Sequence, residues 1–349
     1  MIGPSLIDLS GARDRAWVAA RVRILMGSLV VALGCAAAAS AAQSATLELE
    51  ATIPLGSVRG RIDHLAVDLN HQRLFVAELG NDSVGVVDLK TLKVIRNLTG
   101  FKEPQGVAYV PSTDTLYVAN ADNGSVHLFQ GADLTPAGRI ALGDDADNVR
   151  VDDTGHRVFV GYGSGALAAI DTIRQTRLPD VPLKAHPESF QMSRSGQQIF
   201  VNIPDAHEIA VIDRATNRQT HSWALENLAG NFPMAIDEAR QQVFVVFRHP
   251  AKLGVFNTQN GAVLGTYDTC GDADDVFVDP KRARVYISCG EGFLDVWTAQ
   301  SQTFSNTDRI TTEAGARTAL FVADLDRLFL AVRGTARAPA AIWVFRPAP

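Results

Sequence analysis

The sequence has little cysteine, three residues in 349, and no CxxC or CxxCH. Zinc ribbons, thioredoxin-type redox centres and covalently attached haem therefore lose their usual sequence basis. It also lacks an excess of positive charge. Thirty-two Lys and Arg stand against 38 Asp and Glu, a net charge of −6, so nothing draws the chain to phosphate backbones or anionic lipid, and nucleic acid is not an expected partner. There is no HExxH, no GxSxG elbow and no Gly-rich phosphate loop; Gly163-Ser164-Gly165 reads as a tight turn between strands. Outside the first 42 residues no helix-period stripe of useful length occurs. At 46% hydrophobic and 20% charged, the chain is nevertheless a folding one.

The one long apolar run lies near the start. Arg21 and Arg23 precede Ile24 to Cys35, and an Ala/Ser tract follows, ending Ala39-Ser40-Ala41-Ala42. This pattern reads as a secretory signal peptide cleaved near Ala42, which places the mature chain in the periplasm or outside the cell with no membrane span. A membrane anchor is the competing reading of the run, and Ala32-Leu33-Gly34-Cys35 leaves lipid attachment at Cys35 as a lesser one. Cleavage removes four arginines and two aspartates and leaves the mature chain at −8.

What the sequence has in abundance is repetition. A short apolar strand, a polar turn and a second apolar strand, His64 to Ala77, recurs at Gly106 to Ala119, Asn148 to Gly161, Ser189 to Asn202, Pro233 to Val246, Asp275 to Ser288 and Thr318 to Ala331. Anchoring each copy on the position of Asp68 gives Val110, Asp152, Ser193, Asp237, Asp279 and Val322, spaced by 42, 42, 41, 44, 42 and 43 residues. A third strand ends 19 or 20 residues past each of the first six anchors, and a fourth extended stretch such as Lys93-Val94-Ile95-Arg96 follows. A four-stranded sheet of roughly 40 residues cannot cover both its faces alone, and packing successive sheets around an axis covers them. The fold class is therefore all-β, a seven-bladed β-propeller over residues 43–349, with blades starting near 61, 103, 145, 186, 230, 272 and 315. The seventh copy ends on its third strand, Ala341 to Phe345, and the alternating segment Thr46 to Thr52 is expected to supply the missing fourth.

Gly106-Val107-Ala108-Tyr109-Val110-Pro111 followed by Leu116-Tyr117-Val118-Ala119-Asn120 resembles the YVTN-repeat, YncE-like β-propeller family of exported bacterial proteins, over about residues 47 to 347. The resemblance implies a periplasmic propeller and no particular reaction. Two departures stand out: Gly161-Tyr162 replaces the terminal Ala-Asn in the third copy, and the seventh has a longer loop at Arg333 to Ala340.

In such a ring the loops entering the innermost strands and the loops between second and third strands meet on one face. Five places before each anchor stand Asp63, Gln105, Asp147, Glu188, Phe232, Asp274 and Arg317. Arg61, His64, Asn148, His186 and Asp275 flank them, and Glu78, Asn120, Tyr162, Asn202, Arg248, Glu291 and Arg333 come from the second set of loops. An acidic, water-accessible funnel follows, suited to a small ligand, a cation or an extended partner segment. The loops carrying Asp145, Asp147, Asp272 and Asp274 suit a divalent cation by their clustered carboxylates, though Asp and Gly also populate ordinary turns; no other cofactor is indicated. His64, His186 and Glu188 are the candidates for acid, base or ligand groups, which makes a metal-assisted hydrolase of lactonase type, or a lyase, the alternative to a non-enzymatic binding scaffold for a small molecule or protein partner. Cys270 and Cys289 form the even pair left in an oxidising compartment, and antiparallel pairing of the sixth copy brings them close enough for a disulfide. Reduced thiols acting as soft metal ligands are the other possibility. His127, His156, His207 and His221 read as surface or turn residues.

Overall fold

The computed structural model describes residues 45–152, 154–194, 196–300 and 303–349. The expected signal peptide and cleavage position, and Cys35, lie outside the described residues. Seven antiparallel sheets follow one another along the chain. The first comprises Leu65–Asp68, Arg73–Glu78, Ser83–Asp88 and Lys93–Thr99. The innermost strands of the other six are Pro104–Val110, Ala146–Asp152, Phe190–Met192, Ala229–Asp237, Ala273–Asp279 and Ala319–Val322. The fold is a seven-bladed β-propeller.

The repeat anchors have a local reason to be aspartate. Asp68, Asp152, Asp237 and Asp279 each accept a backbone N–H three residues on, from His71, Gly155, Arg240 and Arg282, at 3.0, 2.9, 3.0 and 3.3 Å. The side chain thereby closes the turn between first and second strands. Asp88, Asp171 and Asp213 do the same at the end of the third strand, for Thr91, Arg174 and Thr216.

Each blade buries its faces against its neighbours, so among the described residues the core consists of seven apolar clusters rather than one. Phe75 and Val86 meet Val107 and Tyr109 between blades one and two. Leu74 and Val76 meet Phe329 and Ile342 between blades one and seven. That last contact closes the ring, and the N-terminal strand Leu47–Pro54 secures it. It pairs antiparallel with Ala341–Pro347, with Leu47 opposite Pro347 and Ile53 opposite Ile342. Blade seven is thus made from both ends of the chain, as its missing fourth strand requires.

Blade three departs from four regular strands. Its outer edge is split into Thr176–Arg177 and Val181–Pro182, both paired with Ala166–Asp171. Between them Asp180 turns inward to bind Arg177 and the Tyr162 hydroxyl. Among the described residues no helix is long and apolar enough to cross a membrane.

Candidate functional site

Four inner strands begin with a register shift: between Pro104 and Val107, Ala146 and Val149, Asn231 and Met234, and Ala273 and Asp275. A bulge leaves a residue unpaired and re-aims its side chain. Gln105, Asp147, Phe232 and Asp274 stand in these four shifts, and all four line one cavity of about 260 Å³. Asp63, Glu188 and Arg317, from the remaining blades, line it too. The seven residues standing five places before the repeat anchors therefore meet in space. Gly106 permits the close approach of blades two and three there, because a Cβ at this position would overlap the Asp147 carbonyl.

One side of the cavity is electrically balanced. Arg61 donates to Asp63 at 2.5 Å. Arg248 donates to Asp274 at 2.5 Å, and its guanidinium lies 3.6 Å from the centre of the Phe232 ring, which provides a cation–π shelf. Arg317 reaches Asp272 at 2.7 Å and Asp274 at 3.1 Å. The three guanidiniums that line the cavity each already have a carboxylate.

The other side is not balanced. Asp147 is 8% exposed, and its Oδ1 has no hydrogen-bond partner. Among the described residues no hydrogen bond or ion pair reaches the Glu188 carboxylate. Burial pushes Asp147 up to about 7, opposed by His64 and reinforced by Asp63. Burial likewise pushes Glu188 up to about 7, reinforced by Asp274 and opposed by Arg248. His64 Nε2 stands 3.8 Å from both Asp63 Oδ1 and Asp147 Oδ1. His186 Nδ1 lies 2.7 Å from the Gly163 carbonyl. A carbonyl only accepts, so Nδ1 carries the proton and Nε2 is left for other contacts. Asp145 Oδ2 is 3.6 Å from the same Nδ1. His64, His186 and Glu188 thus share this cavity.

The remaining residues of the expected funnel divide. Asn148 lines the cavity. Arg333 is pressed by burial and by Arg317 and Arg61, all of which lower its pKa. The others are held in structural bonds. Glu78 accepts from Ser83, and burial raises its pKa. Asn120 caps Lys102 N–H and donates to Val118 and Ser125 carbonyls. Asn202 donates to the Phe232 carbonyl, Tyr162 belongs to the Asp180–Arg177 cluster, and Glu291 accepts from Gly271 N–H. Asp145 and Asp272 occupy left-handed backbone positions, φ 38° and 55°; Asp145 lines the cavity with Asp147 and Asp274, and Asp272 is engaged by two arginines. Cys270 and Cys289 form a disulfide with Cα atoms 5.9 Å apart, both buried.

A second cavity of about 250 Å³ also has His64 in its wall. Two places before the repeat anchors stand Ala66, Ala108, Arg150, Gln191, Ala235, Phe277 and Leu320; all but Ala235 line it. Burial lowers the Arg150 pKa, and burial raises that of Asp275, whose carboxylate accepts Ala319 N–H at 2.8 Å. Sequence reasoning missed Arg150 and Ser189. The available signal was the strand periodicity: every second residue of an inner strand faces the axis, so a lone arginine between Val149 and Val151 points there.

No protein-family model matches the chain, and no curated protein does either. Solved structures do. A chain of the hydrazine synthase of Kuenenia stuttgartiensis is 18% identical with a TM-score of 0.71, covering 84% of this chain and 96% of that one. A chain of a mitotic checkpoint complex is 14% identical with a TM-score of 0.73, covering 93% of this chain and 98% of that one. At such identities the likeness speaks to fold alone, and on that evidence, together with its seven sheets, the chain is a seven-bladed β-propeller.

Proposed function

We propose that the protein is an exported binding scaffold, akin to the YVTN-repeat propellers, whose axial cavity takes a small ligand carrying positive charge. The observation that carries this reading is the asymmetry of the cavity. Five carboxylates and three guanidiniums line it, and the guanidiniums are all paired on one side. Asp147 and Glu188 face the cavity on the other side with no arginine or lysine in ion-pair contact among the described residues. A buried and a half-buried carboxylate in one small space are costly to ionise together, and a positive ligand stabilises both in the charged form. The rigid ring holds the seven entry residues in place before the ligand arrives, which lowers the ordering cost of binding. Export is supported by the disulfide Cys270–Cys289, since such bonds persist in oxidising compartments.

The test is a thermal-shift screen of the full chain against small ammonium compounds and divalent cations. The reading expects at least one to raise the melting temperature, and Glu188→Gln to reduce that shift. No shift from any cation, or equal shifts in the variant, would overturn it.

A further inference from the structure

Among the described residues, two groups of three His or Asp side chains bring their ligand atoms within 4.8 Å of one another. The first, Asp68, His71 and Asp114, is already occupied by protein: Asp68 Oδ2 accepts from Arg73 at 2.6 and 3.0 Å and lies 2.8 Å from His71 Nδ1. A guanidinium sits where a cation would go. The second, Asp63, His64 and Asp147, is arranged differently. Asp63 is 3% exposed and spends only Oδ2 on Arg61, which leaves Oδ1 turned toward His64. Asp147 Oδ1, buried and without a hydrogen bond, faces the same imidazole nitrogen.

The two 3.8 Å separations from His64 Nε2 are too long for hydrogen bonds. Ligand atoms around a four-coordinate ion with bonds near 2.1 Å stand roughly 3.4 Å apart; a contraction of a few tenths of an ångström brings each oxygen to that distance from the nitrogen, and the two oxygens, within 4.8 Å of each other, close onto the same centre as the ion binds. We propose that Asp63 Oδ1, His64 Nε2 and Asp147 Oδ1 hold a divalent first-row transition-metal ion of the Zn²⁺ class, with its open coordination position facing the cavity. This sharpens, and rests on, the reading of the cavity as a site for positive charge. Imidazole selects against Ca²⁺ and Mg²⁺, which take oxygen ligands, and suits Zn²⁺ and its neighbours. The ion neutralises the two aspartates, and Arg61 holds Asp63 from behind as an outer partner that fixes its orientation. The three ligands come from the entry loops of blades one and three, so the ion also ties together segments more than 80 residues apart in the chain.

The experiment uses the full chain, stripped with chelator and titrated calorimetrically with Zn²⁺ alone, then with Co²⁺ to read the ligand field by visible absorption. The expected result is one ion per chain, with tetrahedral or five-coordinate Co²⁺ bands. His64→Ala and Asp147→Asn should each weaken binding at least about tenfold, whereas His71→Ala, in the group already filled by Arg73, should bind as the wild type does. Asp147→Asn is isosteric, and its far-ultraviolet circular dichroism confirms folding. Absence of stoichiometric binding, loss on His71→Ala, or indifference to both ligand variants would overturn the metal site. If Zn²⁺ and Co²⁺ fail while an ammonium compound still gives a Glu188-dependent thermal shift, the metal assignment falls and the reading of the cavity stands.

Discussion

Replacing Cys270 and Cys289 together by alanine removes a cross-link between residues 19 apart in sequence. The bond joins the entry loop of the sixth blade to the end of its second strand, Arg284–Cys289. In the chain-entropy account, opening a loop of this length returns about 11 cal/mol/K to the unfolded ensemble, or about 3 kcal/mol at 25 °C. The propeller's roughly 300 residues carry an unfolding entropy of about 0.6 kcal/mol/K, so the melting temperature should fall by about 5 °C if the ring melts as one cooperative unit. Differential scanning calorimetry of the oxidised wild type and the double variant reads this directly. Both cysteines are buried, so adding reductant to the native protein should change little, whereas wild type refolded under reductant should match the variant. The same bond flanks Asp272 to Asp275, and amide exchange there should quicken in the variant while blade three is unaffected. A melting temperature within about 1 °C of wild type would refute the reasoning, because the loop-closure term would then be absent.

Two other perturbations test the ring itself. Ile53 is fully buried in the closing strand and packs against blades one and seven; Ile53→Ala should cost about 3 kcal/mol in chemical denaturation. A cost below about 0.5 kcal/mol would mean that the closing strand is dispensable. Asp326 accepts from Arg282 and Lys281, and the Arg282 contact foremost holds its carboxyl well below the usual carboxylate range. A lowered folded-state value contributes stability that is present at neutral pH and is lost as pH falls below the ordinary carboxylate value. Asp326→Asn should therefore lower stability at pH 7 by about 1 kcal/mol, allowing for partial exposure of the pair, and shrink the difference from wild type in acid. A difference that grows as pH falls would contradict this.

The repeat made the blade number and the ring of seven entry residues readable in one dimension, because strand spacing and turn chemistry are local properties. The anchor aspartates announce their turns through bonds that span three residues, and the unfinished seventh copy announces its need for Leu47–Pro54. Pairing of Cys270 with Cys289 was legible for the same reason, since both ends belong to one hairpin. The electrostatics of the cavity were not. An acidic funnel was expected from the count of carboxylates, yet Arg248 and Arg317 neutralise Asp272 and Asp274, and Glu78, Asn120, Tyr162, Asn202 and Glu291 turn to neighbouring backbone or side chains instead. Nothing local foretells that partition, because it depends on bulges that rotate single side chains and on arginines arriving from other blades.

The amino-acid sequence thus determined the number of blades, their order, the closure of the ring and which positions face its axis, through periodicity and short-range hydrogen bonding. Only the tertiary structure decided which of those axial charges cancel and which stay unpaired, because Asp63, Asp147, Glu188 and Asp274 become neighbours only when seven sheets far apart in the chain close around one centre.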